Sequence, residues 1–113
     1  MKRAIATAAL VALCATAHAE FWDGNKLHNH LNGSTGEQLL GLGYVMGVAD
    51  ALQHITFCPP SNVTAGQVRD MVANYLSNVP ADRHLTADGL ISKVLKGIWP
   101  CAQRPAAPSG RGV

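Results

Sequence analysis

The stretch 37–57, EQLLGLGYVMGVADALQHITF, constrains the chain more than any other. From Leu39 to Ala49 it carries no charge and no strongly polar side chain. Apolar residues fall on every side of a helical projection, which predicts a helix buried all round. The run is too short to span a bilayer and has the length of a core helix. It also holds Gly41, Gly43 and Gly47. Each glycine costs a helix about 1 kcal/mol against alanine. Gly43, Gly47 and Ala51 recur at four-residue steps on one face, which predicts a strip for close helix packing. The spacing matches neither a dinucleotide-binding nor a P-loop glycine pattern.

The chain has 113 residues, enough for one small domain. It opens with Lys2 and Arg3, then an apolar segment, then Ala17-His18-Ala19. That pattern predicts a secretory signal peptide over 1–19, cleaved before Glu20, with Cys14 discarded. Removing Lys2 and Arg3 leaves seven basic and seven acidic residues. A balanced charge gives no electrostatic case for nucleic acid or a membrane surface, and cleavage leaves no membrane anchor. Two cysteines remain, Cys58 and Cys101. An even count in an exported chain reads as a disulfide. No CxxC spacing and no adjacent histidine point to a metal or a catalytic thiol.

Helix punctuation divides the rest. Asp23 is the expected N-cap of a short helix, with Trp22 and Leu27 as a hydrophobic staple, ending near Asn32-Gly33. His28 and His30 are two apart, so they point to different faces and read as solvated rather than as a metal pair. Ser34 and Glu37 form a capping box at the start of the apolar helix, and Thr64 and Gln67 form another. Asp50 and His54, one turn apart, are expected to pair, or Asp50 to bond a neighbouring helix, rather than to bind a metal. Pro59 and Pro60 end the segment. Val68, Met71, Val72, Tyr75, Leu76 and Val79 give the stripe of an amphipathic helix. A polar connection follows at 80–84. Thr86 is the expected cap of a last helix, which stops at Pro100. The segment 103–113 is rich in Pro, Gly, Ala and Ser and reads as a disordered tail. No strand alternation and no catalytic constellation is visible, so no enzyme, cofactor or metal is expected. The fold class is all-α, with three main helices, a short N-terminal one and one disulfide, in a domain over 20–102.

The segments FWDGNKL, GYVMGVADALQ, FCPPSNVTAGQVRDMVANYL and ADRHLTADGLISKVLKGIWPC stand in that order. Together they resemble the Rap/Tai immunity proteins of type VI secretion, from Phe21 to Cys101. The resemblance implies a small helical periplasmic protein that binds and blocks a peptidoglycan amidase, commonly as a dimer. It implies that Cys58 and Cys101 are the pair this chain retains. Two further family cysteines are replaced here by Leu31 and Gly41, lost together as expected of a bonded pair. Core faces are committed to packing, so the expected partner surface is the polar connection: Asn78, Asp82, Arg83 and His84. A small acid-stress chaperone of the periplasm and an envelope interaction module are the other readings.

Overall fold

A computed structural model describes residues 21–102; the expected signal peptide and tail lie outside them. Among the described residues the chain forms four α-helices and no strand. They are α1 (Gly24–Leu31), α2 (Thr35–Leu52), α3 (Ala65–Asn78) and α4 (Ala87–Ile98), with a 3-10 turn at Pro80–Asp82. Each helix packs against the other three. The all-α expectation and the Cys58–Cys101 disulfide are both observed; the two Cα atoms lie 4.8 Å apart.

The caps explain where three helices begin. The Asp23 side chain accepts the Lys26 N–H at 2.8 Å. Ser34 and Glu37 close the predicted capping box on α2, and Thr64 and Gln67 close the one on α3. Each satisfies amide donors that no helical carbonyl can reach. Thr86 differs from expectation. It holds the N-cap position of α4, but its side chain makes no capping bond. The Ala87 N–H instead donates to Trp22 O at 2.9 Å. Asn25 N–H donates to Arg83 O, and Gly24 N–H to Leu85 O, each at 2.9 Å. Backbone bonding therefore seats the start of α1 on the connection before α4.

The core is apolar. Leu27, Val45, Phe57, Val72, Leu76, Leu90, Ile91 and Leu95 are almost completely shielded. Each such side chain contributes about 1.5–3 kcal/mol through removal from water. Trp22 stacks on Tyr44, centroids 4.8 Å apart, and on His30 at 4.3 Å. His30 is thus not a solvated residue. Its Nδ1–H donates to Lys26 O at 2.9 Å, and its ring is half-buried. His28 takes a hydrogen bond from the Asn32 amide. Partial burial, and then the positive charge of Arg83, hold the His28 pKa below its ordinary value.

The central helix departs most from expectation. Within the chain α2 is not buried all round: only Gly41, Val45 and Ala49 are buried. Leu39 is 64% exposed and Leu40 56%. Gly43, Gly47 and Ala51 share this open side, and a Cβ at Gly43 or Gly47 meets no atom within 4 Å. The other three helices cover only part of the circumference of α2. Gly41 is the glycine that packs. A Cβ built there lies 2.9 Å from Leu31 Cδ2. The two positions where the resemblance implies extra cysteines are therefore neighbours, and Leu31 fills the space between them.

At Gly24 backbone packs closely against backbone. A Cβ there lies 2.8 Å from both Arg83 Cα and Arg83 O, and 2.5 Å from Leu90 Cδ1. The Arg83 backbone cannot move aside without breaking its bond to Asn25. Gly24→Ala is expected to lower stability by about 1–3 kcal/mol through overpacking. Urea denaturation of the oxidised protein measures it. Loss of the disulfide in Cys101→Ala is expected to cost about 2–5 kcal/mol. Oxidised wild type without reductant is expected to show no reactive thiol at either position.

Candidate partner-binding surfaces

Among the described residues, three surfaces are open to a partner. The first is a cleft of about 300 Å³ where α2 ends. Buried Ala49, Phe57 and Val68 form its floor. Half-buried Met46, Pro59, Val63 and Trp99 form its sides. Exposed Asp50, Gln53, His54, Pro60 and Ser61 stand at its rim. The disulfide shapes it, because Cys58 adjoins Pro59 and its N–H donates to Trp99 O at 2.8 Å. The two ends of the covalent tie thus each adjoin lining residues of the cleft, Pro59 beside Cys58 and Trp99 near Cys101.

The turn at 53–57 makes one edge. Helix α2 ends at Leu52, and the His54 N–H donates to Phe57 O at 2.7 Å. To make that bond His54 adopts φ 61°, the left-handed region. For a residue with a Cβ this costs about 1–2 kcal/mol. The turn leaves Ile55 77% exposed. It also removes the expected Asp50–His54 pair. A four-residue spacing joins side chains only while the helix continues, and here it stops between them. No hydrogen bond or ion pair joins Asp50 to any described residue.

The second surface is the polar connection, at the other end of α3, about 20 Å away at 1.5 Å per residue. Asn78 and His84 are exposed there. His84 Nδ1–H donates to Ala81 O at 2.9 Å. Asp82 and Arg83 are engaged within the domain. Tyr75 donates its hydroxyl proton to Asp82 Oδ2 in a short hydrogen bond, and Lys93 Nζ lies 3.0 Å from the same oxygen. The Lys93 ammonium also sits 5.6 Å from the Tyr75 ring centroid. Arg83 Nε–H donates to Leu76 O at 2.6 Å, satisfying a carbonyl in the last turn of α3. These bonds span seven and eleven residues of sequence, so local patterning carried no signal for them. The third surface is the open side of α2, with Leu39, Leu40, Gly43, Gly47 and Ala51.

Among the described residues no group of three or more His, Cys, Asp or Glu side chains could hold a metal ion. No helix among them is long and apolar enough to cross a membrane.

Comparison with known families decides the class. The model of the Rap1a immunity proteins matches residues 6–101, nearly the whole chain. The chain belongs to that family. No curated protein matches it. For a Rap1a immunity protein the relevant partner is a toxin, and the relevant feature is a surface. The Rap1a match spans both cysteines, all four helices, the cleft and the polar connection. Sequence reasoning missed the cleft, because its rim comes from the end of α2 and its sides from the segments joined by the disulfide.

The Tyr75–Asp82–Lys93 group has a pH signature. The Tyr75 hydroxyl, and then Lys93, hold the Asp82 carboxyl below its ordinary 3.8. A lowered carboxylate contributes stability above its unfolded pKa and loses it as pH falls through the folded value. Tyr75→Phe is expected to move the Asp82 pKa up toward 3.8 and to flatten the loss of stability below about pH 4. Carbon-13 NMR titration of the carboxyl, paired with urea denaturation across that range, checks it. Asp82→Ala and Arg83→Ala are expected to lower Tm, because each removes a bond that holds the connection.

Proposed function

We propose that the mature protein works in the periplasm, where it binds and inhibits a peptidoglycan amidase delivered by type VI secretion, and that it does so as a homodimer. Membership of the Rap1a immunity family is the observation that carries this reading. The resemblance to the Rap/Tai proteins supports the amidase, and the signal-like N-terminus supports the compartment. A disulfide in so small a domain also fits an oxidising compartment. Inhibition by occlusion asks the protein for no chemistry of its own. It asks for a pre-formed surface that loses little freedom on binding. The disulfide, the capping boxes and the bonded connection all favour such rigidity.

In the dimer, a second copy covers the open side of α2. Gly43 and Gly47 let a second helix backbone come close, and Leu39, Leu40 and Ala51 supply apolar contact. An exposed apolar strip of this kind is what an interface between copies removes from water.

Co-expression in the periplasm tests the inhibition, with each small cysteine amidase from the same genome and from its neighbours. Protection from lysis by one of them is the expected result; lysis with every amidase sinks the reading. Gly47→Leu tests the dimer. The site is open within the chain, and leucine favours helix by about 1 kcal/mol over glycine. The variant is expected to fold with undiminished stability and to run as a monomer in light scattering. A wild-type protein that is already monomeric at high concentration removes the dimer and leaves the inhibition standing.

A further inference from the structure

Three features that lower stability meet at the end of α2. Asp50 is the first. It is exposed at the cleft rim, has no partner within the described residues, and sits in the last turn of α2, which holds no basic residue. A helix ends with partial negative charge, so a carboxylate there is electrostatically unfavourable. His54 is the second, held in a left-handed conformation on the same rim. Ile55 is the third, a large apolar side chain turned out to water beside it. Strain, exposed apolar surface and an unpaired charge each lower stability. Their concentration at one cleft points to binding.

The chemistry of the cleft selects its occupant. Its floor is apolar, and among the described residues that line it Asp50 is the one acidic side chain and none is a lysine or arginine. We propose that this cleft receives a protein segment presenting an apolar side chain beside a lysine or arginine, and that in the immunity reading, on which this assignment of the partner rests, the segment belongs to the toxin. The apolar side chain enters over Phe57 and Val68. The cation meets Asp50, and its positive charge relieves the unfavourable charge at the helix end. Ile55 extends the apolar contact beyond the rim.

The probe is N-acetyl-leucyl-arginine amide, with N-acetyl-leucyl-glutamate amide as control, titrated into the full mature protein and followed by NMR. The arginine peptide is expected to shift the Trp99 indole, the Val63 and Val68 methyls and the His54 amide; the glutamate peptide is expected to bind more weakly. Asp50→Asn is expected to weaken the arginine peptide by about two- to five-fold and to raise Tm, because it removes the unfavourable charge. Equal shifts from both peptides, shifts confined to Leu39 and Leu40, or no shift at the cleft overturns the proposal. So does unchanged binding in Asp50→Asn.

The amidase assay separates the two levels. Where wild type protects against an amidase, Asp50→Lys is expected to fold and to lose protection, and Asp50→Glu to keep it. Full protection by Asp50→Lys overturns the cleft as the toxin contact and leaves the immunity reading intact. Peptide binding at the cleft without protection against any amidase overturns the amidase reading and leaves the cleft as a site for a cationic, apolar segment.

Discussion

The bond between Cys58 and Cys101 fixes the part of this protein that does not hold itself together by helix packing. Four helices meet through Val45, Leu76, Ile91 and their neighbours. That burial does not determine where the irregular segment after α2 runs. Residues 53–63 contain two prolines and no helix. The disulfide closes a span of 43 residues and brings this segment against the end of α4. Beside it, the backbone bond from Cys58 to Trp99 sets the register. With both in place, Phe57 is buried and the cleft has two sides. Chain entropy lost in the unfolded state is one source of the stabilisation. The positional effect is separate, since the same bond places the residues that line a surface.

The helices were legible in the sequence because their signals are local. Ser34 with Glu37, and Thr64 with Gln67, lie three residues apart and close the boxes that this spacing predicts. The stripe from Val68 to Leu76 faces the core as its period requires. The cysteine pair was legible by count. What was not legible depends on how much of a helix its neighbours cover. An apolar run predicts that water is unfavourable on every side of α2; it does not say whether the covering partner lies in the same chain. Leu39 and Gly47 therefore read as packing residues from composition, yet no described element of the chain packs on them. The Asp50–His54 pair failed for another reason. Nothing in Leu52-Gln53-His54 announces a helix end, and a histidine accepts the left-handed conformation more readily than most side chains.

The polar connection shows a related limit. Four polar residues in a short segment read as a solvated contact surface. Two of them instead close bonds to α3 and α4. Charge in a loop is as well suited to fixing the loop as to meeting a partner, and only the fold separates the uses. Asn78 and His84 keep outward-facing side chains on a support that Asp82 and Arg83 hold still.

The division between rim and floor in the cleft bears on how such a protein changes over time. Ala49, Phe57 and Val68 are shared with the core, so substitutions there carry a folding penalty. Asp50, Gln53, His54 and Ser61 are exposed and carry little of the fold. Substitutions at such positions are usually close to neutral for stability. A lineage can therefore explore new rim chemistries one residue at a time without passing through an unfolded intermediate. Chemistry at the rim can thus change faster than the scaffold beneath it.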